Sequence, residues 1–282
     1  MSEQDAIQRA GASPATLDSL VQDLTALGVE EGSILLVHSS LSSLGWVCGG
    51  AIAVIEALKK AIGKTGTLVM PTHSGELSDP SQWENPPVPE HWWPVIRAEM
   101  PPYDAHLTPT RGMGIMPESF RHQSGVMRSN HPQVSFAACG PFANHITENH
   151  PLEDGLGDRS PLGYLYQLQA WVLLLGVGHD RNTSLHLSEI RAFGERIPQV
   201  RQAAPIKVSG QRKWVEFMTA DVDGSDFSII GNAFEQHTEF VKTGKVAAAS
   251  ARLMPQPALV DFGVAWMRQH RQNSASAPFK GE

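Results

Sequence analysis

The stretch from Trp171 to Glu189 constrains this chain more than any other, because its hydrophobic period changes partway along. Trp171-Val172-Leu173-Leu174-Leu175 is an unbroken apolar run, the pattern of a central strand buried on both faces, and Gly176 and Gly178 close it. A polar turn follows, in which Asn182, Thr183 or Ser184 can cap a helix by accepting a backbone N–H. Leu185, His186, Leu187, Glu189 and Ile190 read as that helix. On it His186 and Glu189 stand three apart, so they share one face just above the carboxyl end of the strand. Open α/β sheets bind ligands at that edge, and an imidazole there with a carboxylate one turn away is the candidate reactive centre. The same spacing also suits a histidine that is merely packed, so spacing alone leaves both readings open.

At 282 residues, the chain is long enough for one large α/β domain or two small ones. It is 41% hydrophobic and 18% charged, with no apolar run of membrane-spanning length, so no membrane partner is expected. The start, Met-Ser-Glu-Gln-Asp-Ala-Ile-Gln-Arg, lacks the apolar core of a secretory signal. Cys48 and Cys139 are too few for a disulfide framework, which makes the cytoplasm the expected compartment. A net charge of −7 argues against a nucleic-acid surface and is compatible with a cationic small molecule.

Taken in order, residues 15–28 carry Leu17, Leu20, Val21, Leu24 and Leu27 at helical spacing, with Gly28 as C-cap. Ile34 to Val37 is a strand that runs into His38-Ser39-Ser40-Leu41-Ser42-Ser43-Leu44-Gly45-Trp46, and Gly49-Gly50 opens a helix with a Val54, Ile55, Leu58 and Ile62 stripe. Strand, hydroxyl-rich loop and helix amino terminus make an anion site; a serine turn satisfying its own backbone is the equal alternative. Thr67 to Met70 is a second strand. Residues 75–110, with eight prolines and Trp83, Trp92, Trp93 and Tyr103, read as an irregular excursion over the sheet edge, apart from a short helix near 92–99. A short helix is expected around 112–120 and a third strand over Val134 to Cys139; Arg128 before it reads as a phosphate partner or a solvated surface arginine. Glu148, Glu153, Asp154 and Asp158 fall in an acidic loop, and Ser160-Pro161 starts the helix before the central strand. Beyond 195 the pattern predicts a hairpin over 206–218, a helix from Phe234 to Val241, a strand from Val246 to Leu253, a closing helix from Ala258 to Arg271 and a disordered tail from Gln272. No repeat or linker divides the chain, so a single domain is expected.

Several of these segments, in this order, resemble the aminoglycoside 3-N-acetyltransferases. The carriers are His38 to Trp46 with Gly49-Gly50, Gly66-Thr67-Leu68-Val69-Met70-Pro71-Thr72, Arg128-Ser129-Asn130-His131-Pro132, Ser135-Phe136-Ala137-Ala138, Ser160-Pro161-Leu162, and Leu174 to Gly178 through Asn182-Thr183-Ser184-Leu185-His186 and Glu189. The likeness spans roughly residues 15–270 and rests on the ordered set rather than on any one motif.

The resemblance implies an α/β fold with a central, mostly buried sheet flanked by helices, an irregular Pro/Trp-rich insertion and a C-terminal hairpin and helix portion. It implies acetyl transfer from acetyl-CoA to the 3-amino group of a 2-deoxystreptamine aminoglycoside, in a monomer or homodimer and without a metal. By match, His186 inherits the role of general base, with Glu189 or Asp180 as its carboxylate. His38, Ser39, Ser40, Leu41, Ser42, Gly45, Thr72, Ser135 and Phe136 inherit contacts with coenzyme A. An acidic wall of Glu148, Glu153, Asp154 and Asp158 would dock the polycation. The family also holds members that do not modify antibiotics, so another amine is the alternative acceptor.

Three other classes compete. An acyl-cysteine route would use Cys48 or Cys139, although neither has an evident base beside it in sequence. A metal-dependent hydrolase would use His179, Asp180, His186 and Glu189, which have the right ligand types but no H-E-x-x-H spacing. A binder that sequesters an amine without acetylating it would consume no acetyl-CoA.

Overall fold

The computed structural model describes residues 3–11 and 13–271; the tail expected to be disordered from Gln272 lies outside them. A seven-stranded sheet runs through the molecule in the order β3-β4-β2-β1-β5-β9-β8. Its strands are β1 (Ile34–Ser39), β2 (Thr67–Pro71), β3 (Met127–Arg128), β4 (Phe136–Cys139), β5 (Trp171–Leu175), β8 (Lys242–Val246) and β9 (Ala249–Pro255). The two intervening strands, β6 (Gln199–Val208) and β7 (Gln211–Ala220), pair only with each other, as a separate hairpin. β1 is parallel to both β2 and β5, whereas β4 and β9 are antiparallel to their inner neighbours. The sheet is therefore parallel at its centre and antiparallel towards both edges.

Alternation along the inner strands divides the core into two layers. Leu35, Val37, Leu173 and Leu175 face a layer built with α2 (Leu17–Leu27) and α3 (Gly50–Ile62), after the short α1 (Glu3–Ala10). Ile34, Leu36, Val172 and Leu174 face the opposite layer. There the cover comes from α6 (Ala143–Thr147), α7 (Pro161–Gln167), α8 (Ser184–Phe193), α9 (Phe227–His237) and α10 (Gln256–His270). The Trp171–Leu175 run is apolar throughout because both of its faces are covered, and each such leucine contributes about 2 kcal/mol. The remaining helices, α4 (Trp93–Glu99) and α5 (Ile115–Arg121), punctuate and follow the proline-rich excursion.

Two C-terminal expectations change. Residues 246–253 form not one strand but a hairpin, β8 and β9, turning at Ala247 (φ 50°). The turn is held from outside: the Ala247 N–H donates to Asp23 Oδ2 at 2.7 Å and the Ala248 N–H to the Leu44 carbonyl at 3.2 Å. Three consecutive alanines carry no local signal of that reversal. The helix expected from Phe234 to Val241 is α9, which starts earlier and ends at His237, burying Phe227, Ile230 and Phe234. These last two strands join the central sheet, whereas the hairpin expected over 206–218 is β6 and β7, a separate two-stranded sheet.

Helix α9 packs unusually close to the turn after β5. A Cβ built on Gly231 would lie 1.9 Å from His179 Cγ, within the van der Waals envelope of a ring that is itself enclosed. Gly231→Ala should therefore push α9 off that turn and lower unfolding free energy by about 2 kcal/mol or more, read from urea denaturation; an unchanged midpoint would contradict this packing.

Candidate active site

Ser39 is paired with Leu175, so β1 and β5 end together and the segments after them open on the same edge. Behind β1 the chain makes a short 3₁₀ turn, Leu41–Leu44, before Gly49 and α3. Ser43 Oγ donates to the Gly176 carbonyl at 3.0 Å and ties that turn to the end of β5. Gly176 has φ of 70°, and a Cβ there would sit 2.5 Å from Ser43 Cβ, so only glycine permits the approach. The two segments wall a cavity of 630 Å³ containing His38, Ser39, Ser40, Leu41, Ser42 and Gly45, with Thr183 and Arg181 on its β5 side and the 112–117 segment opposite. Ser40 and Ser42 share a hydroxyl hydrogen bond at 3.2 Å, whereas the buried Ser39 hydroxyl has no partner. The turn thus satisfies itself only in part.

Three residues expected to touch coenzyme A do not face this cavity. Thr72, Ser135 and Phe136 are fully buried: the Ser135 hydroxyl donates to the Thr72 carbonyl at 2.8 Å, and Phe136 packs edge-on against His73. Their polar atoms serve Arg128, which is neither a phosphate partner nor a solvated side chain. Its guanidinium donates to the Thr72 carbonyl (2.7 Å), the Thr108 carbonyl (2.5 Å) and Ser135 Oγ (3.0 Å), lacing the irregular excursion to β2 and β4.

Beyond β5, Asn182 Oδ1 accepts the Ser184 N–H at 3.3 Å, and α8 begins. One turn in, His186 has 20% of its side chain exposed and Glu189 only 6%. His186 Nδ1 is enclosed without a hydrogen-bond partner, 3.7 Å from Glu189 Oε2, and the ring rests edge-on against Phe227. With Nδ1 enclosed, Nε2 is the nitrogen left to take a proton. Glu189 is held by the Asp223 N–H (3.0 Å) and by Arg271 Nη1 (2.7 Å). Asp180, the other carboxylate considered, is exposed and paired with Arg181 at 3.1 Å. Of the four residues weighed as metal ligands, His179 pairs with Glu235 at 2.9 Å, Asp180 with Arg181 and Glu189 with Arg271, and only His186 and Glu189 approach each other, at 3.7 Å.

Two further cavities adjoin each other, sharing Gln133, Val134 and Gln202; His186 is not among the residues lining these two or the first, and α8 reaches the smaller of the two at Ile190. One, of 370 Å³, includes Glu153, Asp154, Asp221 and Ile190 of α8; the other, of 730 Å³, includes His73, Glu76, Trp83, Glu84 and Arg111. Glu153 and Asp154 are thus at a cavity as expected, but Glu148 accepts from Asn144 on the surface and Asp158 pairs with Arg191 at 2.6 Å. His73, Glu76, Glu84 and Asp221 were not anticipated. The signal for the first three was weak: acids flanking a tryptophan in a stretch without period, and a histidine two residues past the end of β2.

Histidines link the cavities. Burial, together with His186, His38, His131 and Arg128 nearby, pushes His73 down to about 3, and the nitrogen Nε2 of its ring has no partner. Burial alone pushes His38 down to about 3, and His131 is pushed down to about 4. His38 lines the first cavity and His73 the third, and the two imidazoles lie near enough to influence each other's charge.

The family profile for aminoglycoside 3-N-acetyltransferase matches residues 36–268. The chain is 49% identical to the SPbeta prophage-derived aminoglycoside N(3')-acetyltransferase-like protein YokD of Bacillus subtilis, over 90% of this chain and 92% of that one. It is 36% identical to aminoglycoside N(3)-acetyltransferase VIII of Streptomyces fradiae, over 98% and 99%. This chain belongs to the aminoglycoside 3-N-acetyltransferase family. As a family member it is an acyltransferase enzyme with the α/β architecture of its relatives. The crystal structure of YokD superposes with a TM-score of 0.92 at 45% identity, covering 95% of this chain and 98% of that one. The AAC-IIIb binary complex with CoASH gives 0.81 at 30% identity, covering 91% and 97%, and AAC-VIa bound to sisomicin 0.82 at 28%, covering 94% and 100%. Among the described residues no helix is long and apolar enough to cross a membrane.

This family member buries its imidazoles neutral, which has a thermodynamic consequence. An unfolded histidine takes up a proton near pH 6.5, whereas His38, His73 and His131 do so only near 3 to 4 in the folded chain. Between those limits the unfolded state holds more protons, so stability falls as pH is lowered from 6.5 towards 4. Unfolding free energy from urea titrations should drop by about 1 kcal/mol or more per pH unit across that window; a flat profile would contradict the neutral cluster.

Proposed function

We propose that the enzyme transfers an acetyl group from acetyl-CoA, held in the 630 Å³ cavity, directly to the 3-amino group of a 2-deoxystreptamine aminoglycoside held in the adjoining acidic cavities. His186 is the general base. The observation that carries this reading is the siting of His186, His73 and His38 together, with His38 on the donor cavity and His73 on the acceptor side. The relatives agree with the two ligand classes, since AAC-IIIb binds CoASH and AAC-VIa binds sisomicin. Glu76 and Glu84 in one cavity and Glu153, Asp154 and Asp221 in the other supply the negative field that a polycation needs.

In this reading the neutral amine nitrogen attacks the thioester carbonyl carbon, forming a C–N bond and an oxyanion. Thr183 lines the donor cavity, its hydroxyl 3.4 Å from His38 Nε2, and is placed to donate to that oxygen. His186 Nε2 takes the proton that the nitrogen sheds. The C–S bond then breaks, the carbonyl re-forms, and the proton on the imidazolium passes to the departing thiolate, giving an amide and CoASH. Glu189 Oε2, facing Nδ1, stabilises the transient positive charge on the ring. The 3.7 Å separation is long for a hydrogen bond and closes as Nδ1 becomes a charged donor.

His186→Ala should lower kcat by about 100- to 10,000-fold while coenzyme A binding stays near wild type. Steady-state kinetics and calorimetry on the same preparation decide it, and near wild-type turnover would remove His186 from the chemistry. Thiol release across aminoglycosides with and without a free 3-amino group tests the acceptor in the same assay; turnover only with an unrelated amine would replace the aminoglycoside.

A further inference from the structure

We infer that Arg271, the residue after α10, is a positioning residue for His186: its guanidinium fixes and charge-compensates Glu189 and so holds the imidazole ready for proton transfer. The inference rests on the reading of His186 as base and extends it to a residue about 80 positions away in sequence.

Glu189 is 4% exposed, and an isolated carboxylate so enclosed would lose its charge or its place. Arg271 Nη1 supplies a charge-assisted hydrogen bond to Oε1 at 2.7 Å, and the Asp223 N–H reaches both oxygens at 3.0 and 3.2 Å. Both partners leave Oε2 turned towards His186 Nδ1. The same guanidinium grips Asp226 with Nε (2.8 Å) and Nη2, and Nη2 donates to the Asp223 carbonyl at 2.9 Å. Asp226 precedes α9, whose first residue, Phe227, carries the ring that packs on His186. One side chain thus sets two walls of the imidazole's seat, the carboxylate below it and the aromatic beside it.

A clamp that merely pinned α10 to the 223–226 loop would be satisfied by Asp226 alone. The third arm to Glu189 is what bears on chemistry. The groups facing His186 are Glu189 from its own helix, Asp223 from the loop after β7, His73 from the segment after β2, and Phe227. Arg271 is the cation nearest this set through Glu189. Removing its charge leaves the carboxylate pull on the imidazole uncompensated, so the protonated ring is favoured and the base is lost at a higher pH.

The experiment is the pH dependence of kcat for acetyl transfer to an aminoglycoside carrying a free 3-amino group, in wild type, Arg271→Gln, Arg271→Lys and, against Glu189→Gln as its reference, the double variant Arg271→Gln with Glu189→Gln. Arg271→Gln should lower kcat about tenfold or more and move the acid limb up by about one pH unit, with KM for acetyl-CoA within about twofold of wild type. Arg271→Lys, which keeps the charge but loses the fork, should leave the limb near wild type while kcat falls several-fold. In Arg271→Gln with Glu189→Gln the upward shift should vanish, because the carboxylate charge that drives it is gone. An acid limb in Arg271→Gln that stays put or moves down would overturn the inference. Should the glutamine variant not fold, wild-type kcat in Arg271→Lys would overturn it instead. His186→Ala separates the two levels: its full activity would sink the base itself, whereas an inactive His186→Ala with an unmoved limb in Arg271→Gln sinks only the role of Arg271.

Discussion

The pairing of β1 with β5, two strands enclosed on both faces and ending in register, is the constraint on which the rest depends. Because Ser39 lies opposite Leu175, the serine turn and the helix bearing His186 are delivered to one edge of the sheet from opposite sides of a single ladder. The turn borrows its position from the Ser43 to Gly176 hydrogen bond, and α8 borrows its own from α10 and the layer beneath it. Antiparallel strands on both flanks then keep the parallel centre from having an exposed edge.

Electrostatics around that edge follow from burial more than from charge pairing. The buried His38 and His73 are kept neutral by the cost of desolvating a cation. Arg128 is consumed by carbonyl and hydroxyl oxygens and Arg271 by two carboxylates, whereas Arg111 shares a cavity with Glu76 and Glu84. Free negative charge is left on the acceptor side, at Glu76, Glu84 and Asp221. In the proposed reading a polycation is drawn to that side, while the hydroxyls and helix start of the donor cavity take a phosphorylated thioester.

Local pattern made the centre of the sheet legible, and tertiary partners hid the remainder. Trp171 to Leu175, Ile34 to Val37 and the Gly28 cap announce themselves through period and special backbone needs. The turn at Ala247 does not, since Asp23 and Leu44, both remote in sequence, hold it. Thr72, Ser135 and Phe136 came from family resemblance as cofactor contacts, yet Thr72 and Ser135 accept from Arg128 and Phe136 packs edge-on against His73. Preferring Glu189 to Asp180 in the proposed reading needed its 3.7 Å approach to His186 and its tie to Arg271, and the proposed acceptor side needed His73, Glu76 and Glu84 from a segment whose prolines erase any period. Spacing within one helix is visible in a sequence; convergence of three loops is not.

The central claim is that donor and acceptor meet across His186, and a crystal structure of the dead-end complex with CoASH and an aminoglycoside tests it most directly. The account predicts the coenzyme thiol beside Ser39 and Thr183, and the 3-amino nitrogen within about 3.2 Å of His186 Nε2 on the side of the acidic cavities. A thiol and an amine bound in sites that His186 does not touch, or an aminoglycoside seated away from Glu76, Glu84, Glu153, Asp154 and Asp221, would contradict it.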